Sequence, residues 1–75
     1  MPKSVTLVLC LSNDGFEVSL EPRKVYLAIP DADAKAHGQL RVVDESGEDY
    51  LFPQSLFATI KLPMSVRRAV LRVAA

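Results

Sequence analysis

The apolar residues of this chain recur at every second position, in short runs, and a turn-forming residue ends each run. In "VTLVLCL", Val5, Leu7, Leu9 and Leu11 fall on one side of an extended chain, and Thr6, Val8 and Cys10 on the other. Both sides are fairly apolar, as in a strand covered at least partly on each face. "VYLAI" sets Val25, Leu27 and Ile29 against Tyr26 and Ala28, and Pro30 ends it. "QLRVVD", "DYLFP" and "ATIK" are three more runs of strand length. Only after Pro63 does the period change. In "PMSVRRAVLRVAA", Val66, Ala69, Val70 and Val73 repeat at i, i+3, i+4 and i+7, a helical stripe with Arg67, Arg68 and Arg72 off it. Pro63 fits the first helical position, where its missing N–H costs nothing. These periods predict a mainly β domain with a short C-terminal helix over about 63–74.

The connections carry as much information as the runs. "SNDG" supplies turn residues at Asn13, Asp14 and Gly15. "FEVSLEPRK" reads as partly extended, and Pro22 argues against a central strand there. "PDADAKAHG" predicts one turn of helix, capped by Asp31 or Asp33 and stopped by Gly38. "ESGE" is a tight hairpin connection with Gly47 where positive φ is needed, and "QSLF" reads as a 3₁₀ turn. Five short strands, a long irregular loop, a tight hairpin and a 3₁₀ turn before the last strand are in the order of a five-stranded SH3-like barrel, here over about 4–61. An OB-fold places a helix between its third and fourth strands, where this chain has only "ESGE". The stretch from Asn13 to Pro63 also resembles a group of short, uncharacterised bacterial proteins similar to lone SH3-like barrels. "DESGEDYLFP" is the most specific part of that likeness. The resemblance implies a fold and no catalytic residue.

Seventy-five residues make one small domain, 1–75. A chain of this size buries only about 60–65% of its unfolded surface, so its core is thin. Yet 49% of its residues are apolar. Either a five-stranded barrel needs that much, or a partner or second copy covers some of it. One cysteine, Cys10, makes no internal disulfide and suits a reducing, cytoplasmic setting. The apolar run after Lys3 is too short for a leader and has no small-residue cleavage site. No stretch approaches the roughly 20 apolar residues of a membrane span. The expectation is a soluble intracellular protein with no membrane partner.

Net charge is zero, but the charges are sorted. All nine acids lie between Asp14 and Asp49, while Lys61, Arg67, Arg68 and Arg72 follow with no acid after them. A basic tail of this kind can meet nucleic acid or an acidic partner, but four basic residues are few and a solvated helix face explains them as well. Asp44, Glu45, Glu48 and Asp49 surround one glycine. A hairpin sends such acids to alternating faces, whereas calcium needs six to eight converging oxygens, so the segment reads as a turn first and a charged rim for a partner second. "DADAKAHG" fails as a calcium loop: counted from Asp31, position 5 is Lys35, position 6 Ala36 and position 12 Val42. One His and one Cys do not make a zinc site. No glycine-rich phosphate loop and no recognisable nucleophile motif is present, so neither catalysis nor a cofactor is expected, and no small-molecule substrate is evident.

The aromatic residues are the remaining candidates. Tyr26, Tyr50, Phe52 and Phe57 surround Pro53, and SH3-like domains bind extended peptides in aromatic grooves. Phe52 or Phe57 suits the core, whereas Tyr26 and Tyr50 carry hydroxyls fit for a half-exposed surface. The absence of tryptophan argues against proline-rich ligands. The expected function is a small non-catalytic protein-interaction module, self-associating or docked on a larger protein, with Tyr26, Tyr50, Glu45, Glu48, Asp49, Arg67, Arg68 and Arg72 as partner-binding candidates. The alternative is a nucleic-acid-associated accessory protein that uses the basic C-terminal helix.

Overall fold

The structure is a computed structural model that describes residues 5–74, with side chains as far as Leu71 in the last helix. Five strands form one antiparallel sheet: β1 (Thr6–Cys10), β2 (Val25–Ile29), β3 (Gln39–Val43), β4 (Asp49–Pro53) and β5 (Phe57–Ile60). Their order is β4-β3-β2-β1-β5. Helix α1 (Ala32–Ala36) lies between β2 and β3, a 3₁₀ turn (Gln54–Leu56) joins β4 to β5, and α2 (Met64–Ala74) ends the chain. The mainly β class with a C-terminal helix is therefore as the periods predict. The sheet is open: β4 and β5 are its two edges, and no ladder joins them among the described residues. The 3₁₀ turn takes the chain from one edge to the other instead.

Register explains why both faces of β1 are apolar. Thr6 pairs with Ala28, Val8 with Tyr26 and with Thr59, and Cys10 with Phe57. These residues share one face with Leu40, Val42 and Phe52, and Val8, Cys10, Val42 and Phe52 are buried there. Phe52 is the centre of an edge-to-face aromatic chain, 5.2 Å from Phe16 and 6.2 Å from Phe57 between ring centroids. The opposite face sets Leu7 beside Leu27 and Ile60, and α2 covers it with Val70 and Leu71.

The loop before β2 departs from the extended reading of "FEVSLEPRK". Ser19 and Leu20 both donate their N–H groups back to the Phe16 carbonyl, at 3.0 Å each. Phe16 and Leu20 stand four residues apart, so this helix-like turn sends both side chains into the core, which an extended chain sends there only at even spacing with its intervening partner. Leu20 is fully buried and contributes roughly 1.5–3 kcal/mol. At α1, Asp31 caps the Ala34 N–H at 3.0 Å, and Gly38 leaves the turn at φ +70°.

Helix α2 docks by a different face from the predicted stripe. Val70 packs as expected, but Leu71 is its companion, while Val66 is 45% exposed. The side chain of Val73 lies outside the described residues. Leu71 offers more apolar area than Val66, and rotating the helix to bury it also brings Arg67 over the start of β1. The helix itself begins at Met64, with the Pro63 carbonyl accepting from Arg67 N–H at 2.9 Å, so Pro63 stands one place before the first helical residue.

Candidate interaction surface

The acidic segment is a turn with its charges already engaged. Asp44 is buried, and its carboxylate accepts from the Ser46 N–H at 2.8 Å and from the Ser46 hydroxyl. Its backbone carbonyl accepts from Gly47 N–H, and its own N–H donates to the Glu48 carbonyl, both at 3.0 Å. Gly47 sits at φ +84°, a conformation that strains any residue with a Cβ. The other three acids diverge. Glu45 accepts from Lys24, 2.6 and 2.8 Å from its two oxygens, and from the Tyr26 hydroxyl. Glu48 accepts from the Tyr50 hydroxyl at 2.7 Å, and Asp49 from Arg41 at 3.0 Å. Among the described residues no three His, Cys, Asp or Glu side chains converge on one point.

Tyr26 is not the half-exposed ring that its hydroxyl suggests. It is 5% exposed and belongs to the core. Its hydroxyl accepts from Glu21 N–H at 2.7 Å and donates to Glu45, so both polar needs are met inside the fold. Burial, then the Glu45 bond, pushes the phenol above its ordinary range. Lys24, followed by Tyr26, holds the Glu45 carboxyl below the usual carboxylate range. A core ring with a satisfied hydroxyl explains Tyr26 without a partner. Tyr50 remains at the surface, 48% exposed, at the outer edge of the sheet.

The three arginines of α2 also separate. The Arg67 guanidinium donates to the Val5 carbonyl and is half-buried, which ties the helix to the first strand. Arg68 is exposed. The Arg72 side chain lies outside the described residues. A continuous basic face facing solvent is thus not what α2 presents at Arg67.

A cleft of about 810 Å³ lies at the end of the sheet where β1 begins and β5 finishes. Its floor is Val8, Ala28, Leu40 and Phe57, with Thr6 and Thr59 beside them. Register explains the space. Thr6, Ala28 and Thr59 all point to the inner face and all are short, so neighbouring strands leave room that the Phe16–Phe52–Phe57 cluster fills only toward the other end. One wall is α1 with Asp31 and Lys35, and the other is the 3₁₀ turn at Gln54 and Ser55. Gln54 N–H donates to the Gly38 carbonyl at 2.9 Å, which joins the two walls behind the floor. Arg41 bridges Asp31 at 2.9 Å and Asp49 at 3.0 Å, anchoring α1 to β3 and β4. The Ala34 N–H, followed by Arg41, holds Asp31 below its ordinary range.

Sequence reading did not single out these cleft residues. The available signal was the trio of short side chains at inward positions. It becomes visible only when the register places Thr6 against Ala28 and Thr59 against Val8.

No protein-family model, no curated protein and no solved structure matches the chain. Among the described residues, no helix is long and apolar enough to cross a membrane.

Proposed function

We propose that this chain is a small non-catalytic protein-interaction module built on an SH3-like curl of sheet. The observation that carries this reading is the open cleft, whose rim at Lys35, Gln54, Ser55 and Thr59 is exposed above the buried Val8, Ala28 and Phe57. Such a concave surface with polar groups at its rim suits a segment of a partner. Leu51 at the β4 edge and Val66 on α2 add exposed apolar area on other surfaces. A catalytic reading has less support. Cys10 is buried with its thiol donating to the Ser12 carbonyl, and His37 is exposed with its Nδ1 2.7 Å from the Asp33 carbonyl. The free buried thiol suits a cytoplasmic setting. The nucleic-acid reading loses Arg67 to its bond with Val5.

The test is site-specific photocrosslinking in the native host, with a benzophenone side chain at Thr59 in the cleft, at Tyr50 or at Arg68. The module reading expects a discrete polypeptide adduct from at least one of these positions. Adducts to nucleic acid alone, or no polypeptide adduct at any position, overturn it.

A further inference from the structure

The cleft borders the β5 edge, whose outward backbone groups pair with no strand among the described residues. Leu11 N–H donates to the Leu56 carbonyl at 2.7 Å, so residues 56, 58 and 60 form the hydrogen-bonded pairs with β1. Cys10 N–H donates to the Lys24 carbonyl at 2.8 Å, so the even residues of β1 turn toward β2, in the same phase. Phe57 and Thr59 therefore point their backbone groups away from β1. The Phe57 N–H is spent on the Gln54 carbonyl. Thr59 keeps both its N–H and its carbonyl on the open edge, and its side chain lines the cleft.

The charge around this edge is one-sided. The cleft and the adjoining depression over Val5 and Leu7 share Thr6 and Thr59. Together they are lined by four cations, Lys35, Arg41, Lys61 and Arg67, and by one acid, Asp31, which already accepts from Arg41. Arg41 is spent on Asp31 and on Asp49, and Arg67 on the Val5 carbonyl, so Lys35 and Lys61 are the lining cations with no ion-pair partner among the described residues.

Resting on the interaction-module reading above, we infer that β5 receives an extended acidic segment of another protein as a sixth strand. Its backbone pairs with Thr59, one small side chain packs beside the exposed Thr59 side chain at the cleft's rim, and its carboxylates meet Lys35 and Lys61. Strand addition supplies affinity through main-chain bonds and specificity through alternate side chains. Opposite charges at the rim orient and select the segment. A nucleic acid is less suited, because no aromatic ring in the cleft is exposed for bases to stack on: Phe57 is buried in the floor.

The experiment titrates the full chain, labelled with 15N, with four blocked hexapeptides and follows amide shifts. The probes are an alternating Glu-Val peptide, an alternating Lys-Val peptide, and two Glu-Val peptides N-methylated at every second residue, one in each phase. The Glu-Val peptide should move the amides of Thr59, Lys61 and Lys35 and should bind about tenfold tighter than Lys-Val, since two exposed ion pairs are worth about that much. N-methylation in the phase that faces β5 should abolish binding, and in the other phase should spare it. The pair of substitutions Lys35→Glu and Lys61→Glu should reverse the charge preference, while Arg68→Glu should leave it unchanged. Equal binding of both charges, shifts confined to β4 or α2, or no shift at millimolar peptide overturns the inference. So does an oligothymidylate that moves the same amides at lower concentration than the peptide. Concentration-dependent change at the same amides without peptide, with dimer elution on sizing, assigns the edge to a second copy and also overturns it. If a polypeptide adduct forms in the host while the peptides fail, only this inference falls and the module reading stands.

Discussion

Two tyrosines in similar local sequence end in opposite environments. Tyr26 lies on a central strand and Tyr50 on an edge strand, although both sit on the inward face of the sheet. Tyr26→Phe removes the acceptor of Glu21 N–H and a donor to Glu45. It should cost about 1–2 kcal/mol in urea melts, the range for a hydrogen bond to a charged group discounted for the partial exposure of Glu45. Tyr50→Phe should leave the urea midpoint unchanged, since its bond to Glu48 is exposed. The same cluster gives a pH dependence with a definite sign. The folded-state pKa of Glu45 is depressed by Lys24 and Tyr26. Its contribution is present above the unfolded value of about 4.3 and is lost as pH falls through the lower folded value. Thermal midpoints should drop between about pH 5 and pH 3, and Glu45→Gln should flatten that drop. The phenol of Tyr26 is raised. Its contribution is therefore full below about pH 10 and is lost at higher pH. A midpoint flat in acid for the native chain would remove the ion pair from any role in stability.

Among the elements, α2 is where packing overruled pattern. A stripe of Val66, Ala69, Val70 and Val73 satisfies the helical period, yet Arg67, Val70 and Leu71 are the residues turned to the sheet. Periodicity locates an apolar face to within one residue's rotation, about 100° of azimuth, and the larger side chain then decides which rotation buries more. Leu71→Ala should cost about 2 kcal/mol, the low end for a leucine in a core, because it is only partly buried. Val66→Ser should cost under about 0.5 kcal/mol, as exposed positions do. Urea titrations of the two variants separate the faces: a larger loss for Val66→Ser would restore the predicted stripe. The hairpin at Asp44–Asp49 behaves in the opposite way. Its turn chemistry is local, carried by Asp44, Ser46 and Gly47, so sequence reading reached it directly.

For the molecule as a whole, the open order β4-β3-β2-β1-β5 places stability at the centre of the sheet. β1 is bonded on both sides and contributes to both apolar clusters, whereas β5 has one partner. Hydrogen exchange should therefore be slowest at Val8 and Cys10, which donate within the centre of the sheet, and fast at Thr59 on the free edge. Protection at Thr59 equal to that at Val8 would mean that the edge is covered in solution by a contact the chain makes with itself or with another copy.

The sequence by itself determined the elements, because strand alternation, helix period, proline and glycine act over a few residues. It also determined that the acids would form a turn, since Asp44, Ser46 and Gly47 act within a few residues of one another. Only the tertiary structure decided that the sheet stays open, that Tyr26 is interior, and that Thr6, Ala28 and Thr59 stand side by side over a cleft. Each of these depends on register between strands up to about fifty residues apart in the chain. Alternation says that a residue faces one side or the other. Which residues then become neighbours, and whether they fill the space between them, is settled by pairing and packing across the sheet.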